Sequence, residues 1–264
     1  MATSRFKIST SSFWPVVGLV TYLFMYLPII VLVLFSFNHG ATPFEWEGFS
    51  LRWYQELWQS AAIWIALKNS LIVAGATVLL SLTLGTLFVL YSSKNYVANL
   101  VVLFYASLAM PEIVLAVGLL NLFIILSVPL GLTTLIAGHT LIGLGYVVPI
   151  VKSRFDELDK RYMEASMDLG ATQGQTFRKV YIPLLAPALA AASLLVFVVS
   201  LDDFIISFFC AGSATQTLPI HIFALIRSGA TPVINALSTL LLLISSALVL
   251  LFSSLKIKKM DFLQ

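Results

Sequence analysis

The sequence is poor in charge. Only 10% of its 264 residues are Asp, Glu, Lys or Arg, against about 25% in a typical soluble domain. It has one cysteine, Cys210, which excludes a disulfide scaffold. Its three histidines, His39, His139 and His221, are too scattered to suggest a metal site. No G-x-x-x-x-G-K-[ST] stretch occurs, so the chain cannot cradle a nucleotide in the P-loop manner. H-E-x-x-H and G-x-S-x-G are missing too, which removes the common zinc-protease and serine-hydrolase readings. Nothing calls for a cofactor. What the chain has in excess is apolar surface, 59% of its residues. A globule of this size has too little interior to hide that from water, so lipid must be the solvent for most of it.

Apolar runs of about 18 residues or more mark membrane helices. Six are expected: Phe13–Phe37, Asn69–Ser92, Val97–Leu126, Thr133–Val151, Pro183–Ala211 and Val233–Leu255. The first run is too long for a signal-peptide core and lacks a small-residue cleavage site, so it reads as an uncleaved helix. If the N-terminus is cytoplasmic, twelve basic residues lie in inner segments: Arg5, Lys7, Lys94, Lys152, Arg154, Lys160, Arg161, Arg178, Lys179, Lys256, Lys258 and Lys259. Only Arg52, Lys68 and Arg227 lie outside. That asymmetry puts both termini inside. A merely solubilising role would explain why the basic residues sit in loops but not why they favour one side, and a side-sorted charge argues against nucleic acid as a partner. No repeat or linker divides the chain, so 1–264 is expected to form one all-α integral membrane domain.

Two segments outside the spans are longer than a turn. The outer one, 38–68, carries Trp46, Trp53, Trp58 and Trp64 and suits a helix at the headgroup level. The inner one, 152–182, holds eleven of the twenty-seven formal charges. Within it Phe155, Leu158, Tyr162, Ala165 and Leu169 recur at spacings of 3 and 4, which predicts an amphipathic helix over Arg154–Leu169. Ser153 with Asp156 is a start signal, Gly170 a left-handed stop, and Thr172 with Gln175 a capping box for a second short helix that Pro183 joins to the next span. Such a helix could rest on the inner leaflet. The segment 152–182, however, mixes six basic with five acidic residues, whereas a lipid-binding segment is mainly basic. A protein partner fits better.

These residues carry a resemblance. Glu164-Ala165-Ser166, three residues, Gly170, nine residues, then Val180-Tyr181-Ile182-Pro183 resembles the E-A-A, x3, G, x9, I-x-L-P loop of ABC-importer permeases, with conservative departures at Ser166, Val180 and Ile182. Trp46-Glu47-Gly48-Phe49-Ser50-Leu51-Arg52-Trp53-Tyr54, Met110-Pro111-Glu112-Ile113-Val114, Ser200-Leu201-Asp202-Asp203-Phe204, Leu218-Pro219-Ile220 and Asn235-Ala236-Leu237 are similar to the spermidine/putrescine permeases of the PotC type. The resemblance implies a type-1 ABC importer transmembrane fold over 65–255 and a bacterial inner-membrane location. It also implies partners: two copies of a cytosolic ATPase, a second permease and an external binding protein. The loop 152–182 would then be the ATPase coupling segment, with Arg154, Phe155, Leu158, Tyr162, Glu164, Ala165, Ser166, Asp168, Gly170 and Pro183 as its residues. ATP hydrolysis would belong to the partner.

Three carboxylates fall inside apolar runs: Glu112, Asp202 and Asp203. Each costs at least about 2.5–3.5 kcal/mol near a bilayer centre, so such groups face a cavity, a partner or a pathway. Counted at 1.5 Å per residue, Glu112 lies ~22 Å above the start of its run and Asp202 ~28 Å above Pro183, close enough in depth to converge. Neighbours on a helix point ~100° apart, so Asp202 and Asp203 cannot both face one pore. Asp203 is as well explained by packing or an outward reach as by function. No Lys or Arg lies inside a span to pair with these acids, and His139 reads as a hydrogen-bonded packing residue. Unpaired acids select a cation. A polyamine, with ammonium groups spaced by methylenes, needs separated carboxylates and apolar or aromatic walls, for which Tyr105, Phe204 and Phe208 are candidates. The same acids would serve a permease for another cation or ferric iron, or an ion-coupled cation transporter. The last should show inverted repeats and broken helices and leaves the Glu164–Pro183 spacing unexplained.

Overall fold

The computed structural model describes residues 13–40, 45–92, 100–159, 161–213, 215–229 and 232–260. Twelve α-helices follow one another in these stretches: α1 Phe13–Phe35, α2 Arg52–Gln59, α3 Ala61–Ser92, α4 Val101–Ala109, α5 Glu112–Ile125, α6 Leu132–Asp156, α7 Arg161–Asp168, α8 Gln173–Thr176, α9 Ile182–Asp202, α10 Ile205–Cys210, α11 Leu218–Ser228 and α12 Val233–Met260. The one β-type pairing among the described residues is an isolated bridge between Asn38 and Phe49. Arg5, Lys7, Lys94, Val97 and Lys160, which mark inner segments or a span start in the sequence, lie outside the described residues.

Among the described residues, four stretches are long and apolar enough to cross a membrane: Trp14–Phe35, Ala61–Ser92, Leu132–Asp156 and Gln173–Asp202. The expected second span begins eight residues early, at Ala61, so Lys68 lies on α3 rather than in a loop. The expected third span is not one helix. α4 and α5 meet at 113°, because Met110 (ψ 141°) and Pro111 (ψ 127°) are extended: proline lacks the amide a helix needs and disfavours helical geometry in the residue before it. Pro28 and Pro149, by contrast, sit inside the continuous helices α1 and α6. The expected fifth span is also interrupted, between α9 and α10, where Asp203 is extended (φ −67°, ψ 120°). α12 occupies the expected sixth span, with Val233–Ala247 as its described apolar part.

The helices fall into two packing units. One contains α1, α2 and the start of α12. In it Asn38, fully buried, folds the outer segment around its side chain. Its Oδ1 accepts the Glu47 amide at 2.8 Å, its Nδ2 donates to the Glu45 carbonyl at 2.6 Å, and its own carbonyl accepts Trp53 Nε1 at 2.7 Å. Phe37 stacks on Phe49 at 5.4 Å. The sequence's interfacial helix is thus only α2, with Trp53 and Leu57 buried and Trp58 exposed.

The other unit is built on α3, α6 and α9, with α4 against α6 and α10 against α5. Val73 of α3 and Leu135 of α6 share one buried cluster with Ala116, Phe123 and Ile206. Val89 of α3 and Val148 of α6 share another with Leu185 of α9. α3 and α6 therefore run in the same sense and α9 against them. Small residues set the approach: a Cβ at Gly85 would stand 2.7 Å from Val147 Cγ1. Gly75 and Gly118 face open space.

Candidate functional site

The two helix interruptions meet. Glu112 opens α5 immediately after the Pro111 bend, where the positive end of the helix favours an anion. Asp202 closes α9 and Asp203 forms the break that follows. All three carboxylates line one cavity of about 580 Å³ together with Tyr146, Phe204 and the Ser107–Met110 end of α4. The linear depth count fails for Glu112, whose run bends at Pro111 before the acid, but α9 is continuous from Ile182 to Asp202, so the count to Asp202 stands. The breaks rather than equal heights bring the groups together.

The environments of the three acids differ. Glu112 and Asp202 are exposed. Asp203 is buried, 7% exposed, and its carboxylate accepts the amides of Ile206 (3.4 Å) and Ser207 (3.0 Å). His139 Nε2 lies 3.2 Å from Asp203 Oδ2, and Glu112 stands against the same carboxyl. His139 is itself buried, with Nδ1 2.7 Å from Ser200 Oγ and Nε2 3.3 Å from Ser207 Oγ. The Asp203–His139 pairing was not legible in the sequence, where the two residues lie in different runs 64 positions apart. The available signal was that both are polar residues in apolar runs. Of the aromatic candidates, Phe204 lines the cavity, while Phe208 packs on Phe204 at 5.4 Å and both adjoin Phe223. Tyr105 lies on α4, about half exposed and not among the lining residues. Tyr146 is the aromatic that sequence reasoning missed, since nothing in an apolar helix marks which face meets a cavity. Among the described residues no three His, Cys, Asp or Glu side chains are grouped to hold a metal ion.

At the far end of α6 the inner segment departs from its sequence reading. The expected single helix over Arg154–Leu169 is two pieces. α6 runs through Ser153 to Asp156, with Lys152 paired to Asp156 and Arg154 to Glu157 (3.0 Å). α7 then starts at Arg161, whose amide is held by Asp159 Oδ1 at 2.9 Å. The 3–4 pattern crosses this break because its first members belong to the core: Phe155 and Leu158 pack on the buried cluster of α3, α6 and α9, and Phe155 stacks on Tyr181 at 5.3 Å. α7 itself buries nothing. Tyr162, Glu164, Ala165, Asp168 and Leu169 are exposed, Leu169 at 89%. Ser166 bonds Thr176 (2.9 Å), and Tyr181 Oη donates to Met163 Sδ (2.9 Å).

Gly170 stops α7 in the left-handed region at φ +84°. Thr172 and Gln175 then form the expected reciprocal cap, the Thr172 amide donating to Gln175 Oε1 at 2.9 Å and the Gln175 amide to Thr172 Oγ1 at 3.3 Å. A π-helical turn, Phe177–Tyr181, carries the chain into the first turn of α9, where Pro183 sits.

Residues 78–256 match the family described as binding-protein-dependent transport system inner membrane component. The chain is 36% identical over 238 residues to the spermidine/putrescine transport system permease protein PotC of Haemophilus influenzae, covering 88% of this chain and 91% of that protein. It is 35% identical over 240 residues to the putrescine transport system permease protein PotI of Escherichia coli K12, covering 86% and 84%. Among solved structures, a bacterial ABC transporter involved in import of the acidic polysaccharide alginate matches with a TM-score of 0.69 and 16% identity, over 97% of this chain and 99% of that one. The MetNI methionine ABC transporter in an inward-facing conformation matches with a TM-score of 0.58 and 19% identity, over 76% and 96%. At those identities the structures speak for the fold alone.

Proposed function

Because the chain belongs to the family of binding-protein-dependent transport system inner membrane components, we propose that it is the permease subunit of an ATP-driven importer whose cargo is a polyamine. It is a multi-pass membrane protein, and its family's partners are of three general kinds: an ATPase, a second permease and a substrate-binding protein. In this reading the ATPase is present as two cytosolic copies, the binding protein delivers cargo from outside, and the membrane is the bacterial inner membrane. The lysine and arginine asymmetry supports, in this reading, cytoplasmic termini.

The observation that carries the proposal is the meeting of Glu112, Asp202 and Asp203 in one cavity, with Phe204 and Tyr146 beside them. The helix breaks there suit an ion-coupled transporter equally, and it is the family match that favours the importer. Separated carboxylates suit separated ammonium groups, and aromatic faces between them suit the cation and its methylene spacer. The exposed α7, stopped by Gly170, is the surface through which nucleotide-driven closure of the ATPase would reach the helices. It is tied through the Ser166–Thr176 and Met163–Tyr181 bonds to α8 and to the π-helical turn that leads into α9. Closure would turn the paired permeases from inward-open to outward-open, cargo would enter at the acids, and hydrolysis on the partner would reset the cycle. This chain itself supplies the pathway and the mechanical link, and no catalytic chemistry.

The test is uptake of labelled spermidine or putrescine by vesicles holding the whole assembly. Uptake should require ATP and the ATPase, and Glu112→Gln or Asp202→Asn should impair it while the ATPase still co-purifies. Uptake driven by an ion gradient without ATP would overturn the proposal.

A further inference from the structure

We propose that Asp203 is a positioning residue and not a ligand for the cargo, that His139 holds it in place, and that the cation meets only Glu112 and Asp202 on this chain. The inference rests on reading the cavity as the polyamine pathway. Its geometric part stands independently of which cargo passes.

The Asp203 side chain is 2% exposed, as is that of His139. A carboxylate offers about four acceptor positions. Here Oδ1 takes the Ile206 amide and Oδ2 takes the Ser207 amide. His139 Nε2 also lies 3.2 Å from Oδ2. Little of the group is left to turn toward the cavity. The imidazole is equally engaged: Ser200 Oγ lies 2.7 Å from Nδ1, so the hydroxyl can donate there while Nε2–H donates to Asp203. An imidazolium would donate both ways. Either form ties α6, through His139, to the break between α9 and α10.

That tie has a consequence for the neighbouring residues. The extended backbone at Asp203 turns the chain so that Asp202 before it and Phe204 after it both line the cavity, which a continuous helix would prevent because side chains two residues apart point about 160° away from each other. Anchoring Asp203 is thus what aims Asp202. It also restrains the number of free charges. A pathway must hold a cation firmly enough to admit it and weakly enough to release it, and an acid already satisfied by two amides and an imidazole adds little to the hold.

Two measurements test this on the intact importer in vesicles. The first is thiol accessibility and needs no cargo. Asp202→Cys should react with a water-soluble thiol reagent, and Asp203→Cys should not. His139→Leu added to Asp202→Cys should reduce the labelling, and His139→Gln, which can still bond both Asp203 and Ser200, should restore most of it. Labelling of Asp202→Cys that is unchanged by His139→Leu overturns the inference.

The second measurement is uptake, resolved into KM and maximal rate, with ATPase co-purification as the check on assembly. Removing a charged hydrogen-bond partner of the cargo should raise KM by about tenfold or more in Asp202→Asn and Glu112→Gln. Asp203→Asn should lower the maximal rate and leave KM within about twofold, since its amide oxygen still accepts a backbone amide. A KM shift in Asp203→Asn as large as that in Asp202→Asn overturns the inference. A wild-type importer that moves no polyamine overturns the pathway reading instead, and the labelling result still decides the role of His139.

Discussion

Gly170 offers a perturbation whose size can be worked out in advance. Its φ is +84°, in the left-handed region, and a Cβ built on it meets nothing within 4 Å. Alanine there carries no steric charge from neighbours, so the whole cost is the backbone's. A non-glycine L-residue held in the left-handed region costs about 1–2 kcal/mol, and asparagine tolerates it better than alanine. The expected order is therefore wild type, Gly170→Asn, Gly170→Ala. In Gly170→Ala the stopped conformation of α7 should lose roughly 5- to 30-fold in population, at 1.4 kcal/mol per tenfold. If α7 docks on the ATPase in the stopped conformation, affinity for that subunit should fall by the same factor. The assay is binding of purified ATPase to the permease in nanodiscs, with cargo-stimulated ATP hydrolysis as the functional readout. Equal affinities for all three proteins would refute the argument that the turn geometry presents α7. A loss far beyond 30-fold, or an asparagine variant worse than alanine, would refute the backbone origin of the effect.

Three other perturbations follow from particular contacts. Gly85→Val should force α3 from α6, since even a Cβ would lie 2.7 Å from Val147 Cγ1. Overpacking of this kind costs about 1–3 kcal/mol and should lower the thermal unfolding midpoint in detergent, whereas Gly75→Val, facing open space, should not. Asn38→Ala should remove its hydrogen bonds to the Glu47 amide and the Glu45 carbonyl in a partly buried site, a cost of about 0.5–1.5 kcal/mol for each bond. Faster hydrogen exchange at Glu47 and a shift in Trp53 fluorescence would register it, and unchanged exchange would count against the loop's dependence on that side chain. Glu164→Lys, on the exposed face of α7, should weaken coupling of ATP hydrolysis to uptake while the permease stays folded. Unaltered coupling would remove Glu164 from the docking face.

Much of the chain could be read before its structure. The apolar runs located the helices because lipid leaves the backbone no other way to satisfy its hydrogen bonds. Gly170 and the Thr172–Gln175 cap were legible because their chemistry is local, resting on one backbone angle and two bonds three residues apart. The amphipathic pattern of the inner segment misled at its start. Phe155 and Leu158 share the spacing of Tyr162 and Ala165, but they serve the core, and periodicity cannot say which partner an apolar face will meet. The acids were legible as anomalies in lipid, while their roles were not. Asp202 and Asp203 are chemically the same residue, and only the break between α9 and α10 makes one exposed and the other buried against His139.

The sequence by itself determined the solvent, the helical class, the asymmetry of basic charge and the presence of three carboxylates in apolar runs. These depend on composition and on neighbours along the chain. The bends at Pro111 and Asp203, the meeting of acids from separate runs, the pairing of Asp203 with His139 and the choice of Tyr146 over Tyr105 beside the cavity were decided by the tertiary structure alone. Each depends on which helices pack together, and that is settled by close fits such as Gly85 on Val147, between residues distant in the chain.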